Sequence, residues 1–188
     1  TTAASSTRMA PLASTSGNDL VVYTLPSMVD GLSVGVSSQL ETSGGSASTA
    51  FGLTYAGVDG LSVSYGKGDS EGVTDVSGDQ TIMKASYAYG PITVSASQND
   101  FDHTTNTIDQ RVTSYGLSYT VSDAISLSYG EETIDRALEV TDIEVSGYSV
   151  AYTTGGMTVS VASVKADGVD HVANADNEMW KLGLSLAF

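Results

Sequence analysis

Trp180-Lys181-Leu182-Gly183-Leu184-Ser185-Leu186-Ala187-Phe188 is the stretch that decides the fold. Every second residue, Trp180, Leu182, Leu184, Leu186 and Phe188, is large and apolar, and the residues between are small or polar. A period of two puts the sets on opposite faces of a β-strand. One face is greasy along its whole length, and the chain stops on an aromatic ring. A buried edge strand of a soluble protein would show the same alternation, so the rest of the chain must separate the two.

Working outward, the same period recurs in eleven segments: 19–26, 32–39, 50–56, 61–66, 81–89, 92–98, 111–121, 125–130, 145–153, 157–165 and 179–188. The connections alternate without exception between short (27–31, 57–60, 90–91, 122–124, 154–156) and long (40–49, 67–80, 99–110, 131–144, 166–178). Antiparallel strands in chain order, with tight turns at one end and long loops at the other, satisfy that alternation. The fold class read from it is all-β, an antiparallel up-and-down transmembrane β-barrel wall.

The composition of the faces separates lipid from water. One face carries Leu32, Val34, Val36; Phe51, Leu53; Leu61, Val63; Ile92, Val94; Leu117, Tyr119; Ile125, Leu127; Val150 and Tyr152. The other is almost wholly Ser, Thr and Gly, and charge is pushed towards the long connections. A soluble sheet protects its wet face and edges with Lys, Glu and Arg, which are scarce here. Tyr23, Tyr55, Tyr87, Tyr89, Tyr119, Tyr152 and Phe188 fall near the short-turn ends, where amphipathic rings favour a membrane boundary, and Tyr65, Tyr129 and Trp180 near the other. A soluble or surface-exposed β-sheet structural protein or adhesin is the alternative reading.

The 188 residues include no cysteine, which excludes disulfides and thiolate metal sites. The net charge of −15 argues against nucleic acid, whose phosphates it would repel. No catalytic constellation has the supporting context of a nucleophile, and an enzyme is not expected.

The chain resembles the porins of Gram-negative bacteria, most closely the 16-stranded general diffusion porins of alphaproteobacteria. The resemblance rests on Asn18-Asp19-Leu20-Val21-Val22-Tyr23-Thr24-Leu25-Pro26, on Gly31-Leu32-Ser33-Val34-Gly35-Val36, on the hairpin from Tyr55 to Tyr65, on Ser114-Tyr115-Gly116-Leu117-Ser118-Tyr119 and on the terminal Phe188. It implies an outer-membrane pore for passive diffusion of small hydrophilic solutes and ions, commonly a homotrimer in contact with lipid and lipopolysaccharide. It also implies that Trp180, Leu182, Leu184, Leu186 and Phe188 form the signal read by the barrel-assembly machinery. With Phe188 at the periplasmic end, eleven strands place the first strand's start outside. Complete bacterial barrels have even strand numbers. Residues 18–188 are therefore expected to be the C-terminal part of a larger barrel, about eleven strands of sixteen, and 1–17 the end of a constriction loop or a linker. The missing N-terminal strands would come from the same or another chain.

Alternation sends Lys84, Lys181, Ser62, Ser95, Ser118 and Ser126 to the polar face, and these are the pore-lining candidates, with Arg8 on the returning constriction segment. Acids crowd the long connections; Asp69, Glu71, Asp75, Asp102, Glu131, Glu132, Asp135 and Asp170 are the pore-mouth candidates. A ring of negative charge there would concentrate cations. His103 and His171 are expected as solvent-exposed loop residues. The segment from Asp69 to Asp75 is acidic enough to suggest calcium but lacks the EF-hand spacing. No cofactor is expected, and the metal ligands are unknown.

Overall fold

The computed structural model describes residues 20–26, 29–39, 47–71, 77–104 and 109–186. Eleven strands run β1 Leu20–Thr24, β2 Leu32–Gln39, β3 Ala47–Tyr55, β4 Leu61–Glu71, β5 Gly78–Tyr89, β6 Ile92–His103, β7 Gln110–Ser122, β8 Ile125–Arg136, β9 Ile143–Thr154, β10 Met157–Asp167 and β11 Asn177–Leu186. They form one sheet in strict chain order, each antiparallel to the next. A short 3-10 turn, η1 (Val169–His171), interrupts the connection before β11. All-β, up-and-down topology is what the alternating segments predict. Ala187 and Phe188 lie outside the described residues, as do Arg8 and Asp75.

The short turns are set by local chemistry. In the turn between β3 and β4, Leu61 N–H donates to Val58 O at 3.0 Å, and Gly60 adopts φ 74°. That left-handed position favours glycine. Gly60 O also accepts from Ala88 N–H of β5 at 2.8 Å, and a Cβ on Gly60 would stand 2.2 Å from Ala88 O. The turn is thus fixed by its own dihedral and by a neighbouring strand. At β7–β8 a register shift between Thr120 and Ser122 opens the ladder, and Ser122 Oγ accepts from Ala124 N–H and Ile125 N–H.

Strand ends on the long-loop side differ from the sequence expectation. β4 continues to Glu71, β6 to His103, β8 to Arg136 and β10 to Asp167. The apolar alternation fades earlier because the outward face there carries acids in place of aliphatic residues, but the backbone ladder needs no apolar side chains to continue. A tilted spanning strand needs about 9–11 residues; β7 has 13. The surplus carries residues expected in loops into ladder positions.

No large side chain among the described residues is fully buried. Among the described residues one buried apolar cluster, Val112, Ile134, Ile143, Val145 and Ala166, sits at the long-loop end of β7–β10. Meanwhile Leu182 is 76% and Leu184 65% exposed. A sheet with its largest apolar residues uncovered has no interior of its own to fold around.

Candidate functional site: the serine face and the external rim

Register carries the polar face unbroken across the sheet. One row runs Ser64, Lys84, Ser97, Ser114, Glu132, Val145, Ala166. A parallel row joins Ser62, Ser86, Ser95 and Gly116. Hydroxyls pair between strands: Thr54 with Ser64 at 3.0 Å, Ser128 with Ser149 at 2.7 Å, Thr153 with Thr158 at 2.9 Å. Such pairs support the ladder while leaving the surface wettable. Lys84 stands in a groove of about 390 Å³ with Ser62, Ser64, Ser86, Ser95 and Ser97. An adjoining groove of about 430 Å³ includes Ser128, Glu132, Gly147 and Ser149, and Ser114 lines both. Glu132 accepts a 3.1 Å hydrogen bond from Ser114 Oγ. Ser118 shares this face with Thr93 and Ser128, Ser126 with Thr120 and Ala151, and Lys181 with Ala162. The structure therefore brings Lys84, Lys181, Ser62, Ser95, Ser118 and Ser126 onto one face.

The rim acids divide unexpectedly. Unbroken ladders through the upper ends of β4, β6 and β8 put Asp69, Asp102, Glu131 and Asp135 on the same side as the leucines, together with Asp79, Asp100, Glu144, Asp167 and Glu178. They face outward rather than over the serine face. Of the acids on described strands whose side chains are placed, Glu132 alone lies on the serine face. Glu71 ends β4, and Asp170 belongs to η1. Arg136, which the sequence reading did not single out, joins Lys84 and Lys181 there, being paired in register with Gln110. Continuing the period of two past the last aliphatic residue of β8 would have found it.

On the outward side Asp69, Asp79 and Asp102 are directly opposed across β4, β5 and β6. Like charges so placed repel. Partial relief comes from Lys67, 3.7 Å from Asp79, and from the Thr49 hydroxyl, which donates to Asp69. Arg111 Nε lies 2.5 Å from Asp100 Oδ1, and Gln98 Nε2 donates to Asp100 Oδ2 at 2.7 Å. Burial alone would raise the Asp100 pKa, but these hydrogen bonds and the Arg111 charge outweigh it and lower it below the ordinary carboxylate value. Lys165 pairs with Asp167 at 2.7 Å, and that hydrogen bond and charge raise the lysine pKa.

The histidines are not free loop residues. His103 ends β6 on the serine face, buried beside Phe101 with ring centroids 6.0 Å apart, and its backbone N–H donates to Asp109 Oδ1. His171 is half-buried, and its Nδ1 donates to Thr141 O at 2.7 Å. Both differ from the solvent-exposed expectation because strand extension and loop packing reach further than the apolar pattern. Among the described residues no group of three or more His, Asp or Glu is placed to hold a metal ion.

The outward side also carries the aromatic belts. Tyr148 and Trp180 meet edge-to-face at 5.9 Å, flanking the buried Ser163 of the strand between them. Trp180 Nε1 donates to Glu178 at 3.0 Å, and the Tyr129 hydroxyl to Glu131. Each ring has an apolar body below and an acid above, the arrangement of a lipid–water boundary. Tyr87 and Tyr89 stack at 6.5 Å near the opposite ends.

Residues 1–153 match the family model described as Gram-negative porin. The chain belongs to the Gram-negative porin family. Its fold is similar to a porin refined at 1.8 Å, with TM-score 0.71 and 16% identity over 92% of this chain and 63% of that one. It is also similar to the anion-selective porin from Comamonas acidovorans, with TM-score 0.74 and 16% identity over 91% and 60% of the two chains. A third likeness is OmpT, an outer membrane protein of Vibrio cholerae, with TM-score 0.65 and 16% identity over 90% and 64%. This porin chain thus spans under two thirds of the length of those structures. No curated protein matches it in sequence. The porin resides in the outer membrane of a Gram-negative bacterium, and the eleven strands are part of a barrel wall.

Proposed function

We propose that the serine face lines a water-filled channel through which small hydrophilic solutes and ions diffuse passively, with a preference for small cations, in a porin that assembles as a homotrimer. One observation carries the reading: a continuous eleven-strand sheet with Ser, Thr and Gly on one side and uncovered Leu, Val and Tyr on the other. Hydrocarbon is the one solvent that rewards the second face, and water suits the first. β1 pairs only with β2, and β11 only with β10, among the described residues. Unpaired edges in lipid would leave backbone groups unsatisfied at several kcal/mol each, so further strands, from the same polypeptide or a partner, complete the wall. Trp180, Leu182, Leu184, Leu186 and Phe188 serve as the assembly signal. Lys84, Arg136 and Lys181 outnumber Glu132 on the placed wall, so cation preference must arise at the mouth, from the net charge of −15. Planar-bilayer recordings of the full-length porin under a salt gradient test this. Ohmic channels with a cation-positive reversal potential are expected; absence of channels overturns the pore, and an anion-selective current overturns the preference.

A further inference from the structure

Above the belts, across β7 to β10, the serine face carries a buried apolar cluster beside Glu132 and Arg136. Val112, Ile134, Ile143, Val145 and Ala166 project from it and are buried to 9% exposure or less, with Val164 and Val169 packed against them. Side chains at the wet end of a sheet become buried only if something covers them. The connection between β10 and β11 supplies cover through Val169, which seats η1 on the serine-face side. Two further contacts fix it there. His171 Nδ1 donates to Thr141 O at 2.7 Å, and Gly168, at φ 67°, lies so close that a Cβ would stand 2.4 Å from Asp142 O. Within the turn Asp170 and His171 hold φ of 56° and 60°, a left-handed conformation that residues other than glycine, Asn and Asp rarely adopt. The surrounding contacts sustain it.

We infer that the β10–β11 connection is a fixed inward shelf that narrows the external mouth, and that Asp170, carried on it, is the acid that selects charge there. The inference rests on the serine face being the water path. It separates Asp170 from Asp69, Asp102, Glu131 and Asp135, which register turns outward. Asp170 is exposed, as a charge acting on passing ions must be.

The test uses the full-length porin in planar bilayers and in liposomes swelling in sugars of increasing size. Asp170→Asn keeps a residue type that accepts left-handed φ and removes only the charge. At about 0.01 M salt, where screening extends to about 30 Å, one charge some 10 Å from the path changes ion partition about twofold. Because that change acts in opposite senses on cations and anions, Asp170→Asn should lower the cation-to-anion permeability ratio by up to about fourfold, and Asp102→Asn, behind the wall, should change it much less. Val169→Asp unseats the shelf and should raise conductance and admit larger sugars. Wild-type channels whose selectivity is untouched by Asp170→Asn, or shifts equally with Asp102→Asn, overturn the inference and leave the pore standing. If Val169→Asp fails to assemble, the Asp170→Asn comparison still decides. Absence of wild-type channels overturns both readings.

Discussion

Strands β7 to β10 each have two halves, and the upper half reverses much of the polarity of the lower. In the lower half of β8, Leu127 and Tyr129 face outward and Ser126 and Ser128 face the other way. In the upper half, Glu131 and Asp135 face outward, and on the serine side Ile134 is buried to 3% exposure. The backbone ladder does not change between them; the solvents do. In the proposed channel, the outside below the belt is hydrocarbon and the inside water. Above it the outside is water and headgroups, and the inside is covered by η1 and its neighbours. Residue type therefore reports what touches each face at each height, and it does so independently of secondary structure.

The largest effect expected from that comparison comes from a charge on the lower outward face. Leu127→Arg should cost about 2–4 kcal/mol if the site lies near the midplane, less towards the belts, and should reduce folding into vesicles. Ser126→Asp, one residue away on the opposite face, should fold normally. Equal losses would show that the two faces of the lower half meet the same solvent.

Next comes the inverted upper half. Ile134→Ala empties part of a buried apolar cluster and should destabilise by about 2 kcal/mol or somewhat more, read from urea unfolding in vesicles. Leu127→Ala at an outward site should cost less, because lipid tails refill the gap. If the order is reversed, the upper cluster is not a packed core.

A smaller effect distinguishes the upper outward face. The folded-state pKa of Asp100 is lowered, after burial is outweighed by Gln98 and Arg111. The stability it contributes is complete above the ordinary carboxylate pKa of about 3.9 and is lost as pH falls through the lower folded value. Arg111 is more than half exposed, so the contribution is held to about 1 kcal/mol or less. Arg111→Met should flatten the stability profile in that acidic window and leave neutral pH nearly unchanged. A profile identical to wild type would mean that the pair contributes nothing.

The lower halves were legible in the sequence because lipid imposes strict alternation. Lys84, Lys181 and the four candidate serines could be assigned to a face by counting in twos. The upper halves were harder. Glu132 and Asp102 read alike as loop acids, yet one step of register separates a residue on the serine face from one on the outside. Arg136 went unnoticed because Ile134, the aliphatic residue two before it, lies on the serine face, opposite to the face that the lower aliphatic residues of β8 mark. His103 lies against Phe101 on the extended end of β6 and bonds Asp109 through its backbone, beyond the point where the apolar pattern fades, and His171 bonds Thr141, which is distant in sequence.

The smallest expected effect probes the row Asp69, Asp79, Asp102. Asp79 sits between two acids and gains one long contact, 3.7 Å, from a half-exposed Lys67. Directly opposed like charges on adjacent strands destabilise by an amount on the scale of cross-strand pairs, a few tenths of a kcal/mol in water, and an exposed pair such as Lys67–Asp79 returns about as little. With two repulsions against one attraction, Asp79→Asn should stabilise slightly in dilute buffer. At 1 M salt the screening length falls to about 3 Å, and the gain should vanish. A stabilisation that persists at high salt would point to packing instead of charge. A clear destabilisation would mean that the row is held by something more than Lys67 and the Thr49 hydroxyl, and that the outward acids serve a bound counter-charge.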